Sequence, residues 1–170
     1  MSALLLTGPP GSGKTTALRR AAERLRGWRL GGFYTEEIRR RGERRGFRAV
    51  TFDGDAWELA RVDRPGPPRV GRYGVDLAVM ETLATRLAPD RAVDAWLIDE
   101  IGKMECFSEA FVAAMRTLLD GRAPVVATIA QRGAGFIAEV KRRRDAELRT
   151  LTRATRDELP DVIVAWLETR

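Results

Sequence analysis

Gly8-Pro9-Pro10-Gly11-Ser12-Gly13-Lys14-Thr15 is the stretch on which the reading of this chain turns. It meets the spacing G-x-x-x-x-G-K-[ST], with Gly8, Gly13, Lys14 and Thr15 at the constrained positions. A loop that wraps an anion must turn successive backbone N–H groups inward, and glycine at positions 8, 11 and 13 permits conformations that a Cβ forbids. The flanks fit the same reading. Ala3 to Thr7 is a short apolar run, which predicts a buried parallel strand. From Thr15 to Leu25, Ala17, Leu18, Ala21, Ala22 and Leu25 recur at helical spacing. The order strand, glycine loop, helix aims a helix N-terminus at the bound anion. With a glycine background of roughly 7%, a chance match in this context is rare.

The spacing then assigns roles. Gly8, Pro9, Pro10, Gly11, Ser12, Gly13, Lys14, Thr15 and Thr16 are expected to hold phosphates. Lys14 would reach the β- and γ-phosphates, and the Thr15 hydroxyl would ligate Mg²⁺. The expected ligand is therefore a magnesium-bound nucleoside triphosphate.

Outward from the loop, strands alternate with helices. Gly31 to Ile38 and Gly46 to Phe52 read as a β-hairpin with a charged turn near Gly42, inserted after the first helix. Arg64-Pro65-Gly66-Pro67-Pro68 is a loop, since neither a helix nor a central strand accepts it. Asp76 caps a helix to Leu87, and Ser108 caps another to Leu119. Ala95 to Asp99, Ala123 to Ile129 and Leu148 to Leu151 read as strands. A basic helix spans Gly135 to Arg143, and the segment from Thr155 to Glu168 contains a last helix with Pro160 near its start. This alternation predicts an α/β fold with a mostly parallel central sheet covered on both faces. No linker divides the chain, so residues 1–170 are read as one domain.

Two acids stand at the second informative place. Asp99 ends the apolar run from Ala95, where a carboxylate of a phosphate-loop enzyme holds Mg²⁺, usually through water. Glu100 follows and is the candidate to orient and deprotonate an attacking water, with Glu105 as its rival. Lys103 lies just past the strand, on the side where nucleotides sit in open α/β sheets, and is a candidate to stabilise charge on a transferred phosphoryl group.

Composition narrows the chemistry. The chain has no histidine, which excludes Ser-His-Asp and Cys-His mechanisms and a histidine base. Its one cysteine, Cys106, cannot form an internal disulfide, and the usual zinc ligand sets are missing. The net charge is +6, and of 30 basic residues only Lys14, Lys103 and Lys141 are lysine. An arginine bias of this kind suits a GC-rich genome or a hot habitat. It also keeps a polyanionic partner in view, although solvated arginines beside Glu and Asp account for it more simply. No targeting segment or run of about 20 apolar residues is apparent, so a cytoplasmic protein with no membrane partner is expected. A monomer is expected.

Several stretches together resemble one family. They are Gly8 to Thr16, Gly32-Phe33-Tyr34-Thr35-Glu36-Glu37-Ile38-Arg39, Val70-Gly71-Arg72-Tyr73-Gly74-Val75 and Ile98-Asp99-Glu100-Ile101-Gly102-Lys103-Met104-Glu105. Gly46-Phe47 and Arg156-Asp157 extend the match over nearly the whole chain. The family is the small thermophilic nucleoside-triphosphatases, whose animal relatives are called cancer-related nucleoside-triphosphatases. The resemblance implies a three-layer, RecA-like P-loop NTPase domain. It also implies slow, base-tolerant hydrolysis of ATP, GTP and other nucleoside triphosphates to diphosphate and phosphate. On the matching positions, Gly8 to Thr16 would bind phosphates, and Asp99 and Glu100 would serve Mg²⁺ and water. One departure is Thr155-Arg156-Asp157, where the family usually reads Asn-Arg-Asp.

Two other functions share these features. A kinase for a nucleoside, nucleotide or RNA end uses the same phosphate loop, and the hairpin could build its acceptor pocket. A nucleic-acid-dependent ATPase would use the basic balance, but no RNA- or DNA-binding motif is present, so nucleic acid is the less favoured partner. In the hairpin, alternation puts Thr35 and Glu37 on one face and Tyr34 and Glu36 on the other. Arg39, Arg40, Arg41, Arg44, Arg45 and Arg48 read first as a charged sheet edge that resists aggregation, and only second as a source of an arginine finger. Lys141-Arg142-Arg143-Arg144 reads as a solvated helix end, and Trp96 as core packing.

Overall fold

The first strand, β1 (Ala3–Thr7), is fully buried along its length. Its side chains alternate between two separate cores, with Ala3 and Leu5 in one and Leu4 and Leu6 in the other. A strand buried on both faces needs apolar residues at every position, which is why this run does not alternate with polar ones. In the computed structural model, which describes residues 2–170, β1 lies between β8 (Val125–Ile129) and β9 (Ala146–Thr150), parallel to both.

The chain continues through α1 (Lys14–Arg24), β2 (Leu30–Arg40), β3 (Glu43–Thr51), β4 (Ala56–Arg61), β5 (Arg69–Val70) and β6 (Tyr73–Val75). Helix α2 (Leu77–Arg86), strand β7 (Ala95–Ile101), a 3-10 turn (Glu105–Phe107), α3 (Glu109–Leu119), β8, α4 (Phe136–Lys141), β9 and α5 (Leu159–Glu168) complete it. All nine strands form one sheet in the order β5-β6-β4-β3-β2-β7-β8-β1-β9. From β2 to β9 every pairing is parallel, and beyond β2 every pairing is antiparallel. Buried residues of α1 and α5 pack on one face, and those of α2, α3 and α4 on the other. The result is the three-layer α/β arrangement expected from the alternation of strands and helices.

The local signals behave as their chemistry requires. Asp76 accepts hydrogen bonds from Ala78 N and Val79 N, and Ser108 accepts one from Phe111 N, so both act as N-caps. Pro160 sits in the first turn of α5, where its missing N–H is harmless. Trp96 is 2% exposed inside the sheet core. The expected hairpin is present as β2 and β3, but its surroundings differ from the expectation. It is not an edge: β4, β6 and β5 extend the sheet past β3, in a segment with no strand signal of its own. Its arginines instead pair with acids, Arg39 and Arg44 with Glu37, Arg45 with Glu43 and Arg48 with Glu36. Strand β7 also runs two residues past Asp99, because Ile101 pairs with Ile129 after a register shift. Asp99 and Glu100 therefore lie inside the strand rather than at its end.

One glycine sets how closely the hairpin joins the parallel sheet. Gly32 has φ +102° and pairs with Leu97, and a Cβ on it would lie 2.0 Å from the Leu97 carbonyl oxygen. Both the backbone conformation and the contact exclude a side chain. Gly32→Ala is expected to destabilise the fold by about 3 kcal/mol or more, measured by urea denaturation. A loss of under about 1 kcal/mol would show that β2 and β7 can separate cheaply.

Candidate active site

The five parallel strands share one direction, so the loops after β1, β7, β8 and β9 gather at one edge of the sheet. The glycine loop follows β1. Gly11 has φ +73° and Gly13 φ +99°, the left-handed region that favours glycine. Gly13 is the N-cap of α1 without a side-chain cap, and the first turn carries no acid, which leaves its N–H groups to an anion. Gly8 packs so closely under the chain after β9 that a Cβ would lie 2.8 Å from the Leu151 carbonyl oxygen. Gly13 faces Arg156, whose Cβ would stand 3.9 Å from a methyl there. Lys14 lies back along the loop, its Nζ donating to Gly8 O at 2.9 Å and Pro9 O at 3.2 Å. Ser12 Oγ is buried and finds no hydrogen-bond partner among the described residues. Pro9, Pro10 and Thr16 are exposed.

Asp99 is the centre of the second constellation. It is 1% exposed and accepts hydrogen bonds from four donors. Thr15 Oγ1 donates to Oδ2 at 2.7 Å, Thr35 Oγ1 at 3.0 Å and Thr35 N at 3.2 Å, while Thr128 Oγ1 donates to Oδ1 at 2.6 Å. The contact joins α1, β2, β7 and β8 at one carboxylate. Thr35 and Thr128 were absent from the sequence-derived site. A threonine inside the apolar run Val125 to Ile129 was the available signal, because a hydroxyl buried in a central strand needs a partner. Hydroxyl and carboxylate oxygens converging in this way suit a hard cation. Among the described residues no group of three or more His, Cys, Asp or Glu side chains forms a protein-only metal cage. A site with one carboxylate and one hydroxyl instead fits a metal that takes its remaining ligands from water and substrate phosphates.

Glu100 is half-buried beside this carboxylate. Burial, then the Asp99 charge, push its carboxyl above the usual range, while Lys14 pulls it down. Glu105 is 5% exposed and is pushed up to about 8, by burial first and then by Glu100. Cys106 is pushed up to about 12 by burial and the neighbouring acids, which leaves its thiol inert. Lys103 is exposed on the turn after β7, with no ion pair among the described residues. The hairpin acids turn elsewhere. Glu36 pairs with Arg19 and Arg48, and the Arg19 guanidinium lies 4.6 Å over the Tyr34 ring.

A phosphate-binding loop with a buried carboxylate and a second acid beside it is built to act on a phosphoanhydride. The comparisons with known proteins agree. A family described as NTPase matches residues 3–164. The chain belongs to this nucleoside-triphosphatase family. It is 40% identical to nucleoside-triphosphatase THEP1 of Thermotoga sp. (strain RQ2) over 97% of this chain and 95% of the relative. It is 37% identical to the human cancer-related nucleoside-triphosphatase over 98% of this chain and 97% of the relative. The crystal structure of THEP1 from the hyperthermophile Aquifex aeolicus superposes with a TM-score of 0.85 at 38% identity, covering 98% of this chain and 99% of that one. Nucleoside-triphosphate hydrolysis is thus the activity of this NTPase chain. The names of these relatives lend no support to the kinase or nucleic-acid readings.

Proposed function

We propose that the NTPase is Mg²⁺-dependent and tolerant of the base, hydrolysing ATP, GTP and other nucleoside triphosphates to diphosphate and phosphate. The observation that carries this reading is the convergence of Thr15, Thr35 and Thr128 on Asp99, with Glu100 adjoining. Backbone N–H groups from Gly8 to Thr16 bind the phosphates, aided by the α1 N-terminus. Thr15 and Asp99 would hold Mg²⁺, and the ion, when bound, would neutralise charge on the β- and γ-phosphates. Lys14 leaves the Gly8 and Pro9 carbonyls for the same phosphates. Glu100 accepts a proton from water as the water oxygen bonds to the γ-phosphorus. The bond from that phosphorus to the bridging oxygen breaks, and the electron pair leaves with the diphosphate. Lys103, exposed on the turn past β7, would stabilise charge on the transferred phosphoryl group.

Base tolerance is supported by what surrounds the loop. The segment after β9 brings Arg156 over Gly13, and its Thr155 bonds Thr152 rather than presenting an amide to a base. A cytoplasmic location and a monomeric state belong to the same proposal. No helix among the described residues is long and apolar enough to cross a membrane. Heat tolerance is supported by networks such as Arg86 and Arg91 sharing Asp53, since linked ion pairs gain weight at high temperature.

The test is phosphate release from ATP, GTP, CTP and UTP, with Mg²⁺ and with EDTA. Release from all four that disappears with EDTA supports the proposal, and release from one base only, or with EDTA, defeats it. Lys14→Ala is expected to reduce kcat/KM by roughly 10²-fold or more and to weaken nucleotide affinity, because a charge-assisted contact is lost in both states. Unaltered affinity of a fluorescent ATP analogue would remove Lys14 from the phosphate site.

A further inference from the structure

The chain leaving β9 is tied to the end of β1, where the glycine loop begins: Leu151 N donates to Thr7 O at 2.7 Å. Thr152 and Thr155 then close a turn on each other. The Thr152 N–H donates to Thr155 Oγ1 at 3.1 Å, and the Thr155 N–H to Thr152 O at 3.3 Å. Leu159, at the start of α5, is buried in the core that also holds Ala17 and Leu18 of α1. Arg156 stands between these anchors. Its stem crosses the N-cap of α1, with Cβ and Cδ each 3.9 Å from where a methyl on Gly13 would lie. Its head is left in solvent. The side chain is exposed, and its ion pair is with the neighbouring Asp157 at 3.5 Å, an exposed pair that holds it weakly. Hydrolysis as set out above gives this guanidinium nothing to do.

We propose that Arg156 holds the nucleobase, its flat guanidinium lying against the face of the ring. The strand order β7-β8-β1-β9 sets the direction of the substrate. Asp99 and Glu100, on β7, act at the γ end. The segment after β9 stands on the other side of β1 from them, so the nucleoside end leaves the phosphate loop toward Arg156. A guanidinium is planar and stacks on aromatic faces. Every base offers such a face, so this contact ignores the donors and acceptors at the base edge. Edge readout is poorly supplied here. The chain has no asparagine, and its one glutamine, Gln131, lies on the loop after β8. The Thr155 hydroxyl is engaged with Thr152, and the segment from Leu151 to Leu159 carries no aromatic side chain that could stack in place of Arg156. This inference rests on the base tolerance proposed above and gives it a physical cause.

The experiment measures the affinities of ATP, GTP, CTP, UTP and inorganic triphosphate by competition against a fluorescent ATP analogue. Inorganic triphosphate carries the phosphates without sugar or base. The proteins are wild type, Arg156→Ala, Arg156→Lys and Arg156→Trp, each checked by its melting temperature without nucleotide. Arg156→Ala is expected to weaken all four nucleotides by about 3- to 10-fold, the range of a solvent-exposed stacking contact, and inorganic triphosphate by less than about twofold. Arg156→Lys keeps the charge without the plane and stays near Ala. Arg156→Trp keeps a plane without the charge and returns toward wild type. Unchanged nucleotide affinity in Ala would overturn the proposal. So would an equal loss for inorganic triphosphate, or recovery by Lys and not by Trp, each of which would make Arg156 a phosphate contact. A wild type that binds one base alone would defeat the reading of base tolerance; a loss in Ala on that nucleotide, spared in inorganic triphosphate, would still place Arg156 on the base.

Discussion

Replacing Glu100 by Gln is expected to lower kcat for phosphate release by about 10²- to 10⁴-fold, with nucleotide affinity retained. Gln keeps the size of the side chain and one acceptor oxygen but cannot take a proton. Lys14 donates to Gly8 O and Pro9 O, and among the described residues no hydrogen bond or ion pair joins the loop to Glu100, so binding should survive. Glu105, the rival base, is poorly placed to substitute. At 5% exposure, and pushed up to about 8, it is held neutral at pH 7 and sheltered from bulk water. Single-turnover phosphate release, paired with fluorescent-nucleotide titration, measures the two quantities separately. A kcat within a factor of about two of wild type would remove Glu100 from the chemistry.

What the sequence discloses of this site depends on how local each signal is. The glycine loop is legible because every constraint lies within eight consecutive residues, Gly8 to Thr15. The caps at Asp76 and Ser108 are legible for the same reason: donor and acceptor are three residues apart or fewer. Strands β4, β5 and β6 are not legible. β5 and β6 have two and three residues, too few to show a period of two, and β4 has buried neighbours at Leu59 and Ala60 that break the alternation. Thr35 and Thr128 lie 64 and 29 residues from Asp99, and only the parallel order β2-β7-β8 brings them to it. The sequence presents Glu100 and Glu105 as competitors, whereas the structure places both at Gly102, where the difference in burial separates them. That separation is a property of the turn after β7, which no spacing rule records.

Asp99→Asn is expected to retain the fold at a cost of about 1–2 kcal/mol and to lower turnover by roughly 10²- to 10³-fold. The geometry dictates how the amide sits. Oδ2 accepts from the Thr35 backbone N–H, a donor that cannot reverse, as well as from Thr15 and Thr35 hydroxyls. The amide oxygen must therefore take the Oδ2 position, and the NH₂ faces Thr128 Oγ1. That hydroxyl can rotate and accept from the amide, but its own O–H then loses the acceptor it had, which is the source of the modest cost. The larger effect is the loss of charge, which is what a divalent cation needs from this residue. Asp99→Ala differs, because it strands the donors of Thr15, Thr35 and Thr128 around a cavity and should cost about 3 kcal/mol or more. The informative pair of measurements is melting temperature and the Mg²⁺ dependence of ATP hydrolysis. Asn should melt near wild type and demand far more Mg²⁺ for a much slower rate. An Asn variant with wild-type turnover at wild-type Mg²⁺ would mean that Asp99 only ties the threonines of two strands and a helix together, and that the metal is held elsewhere.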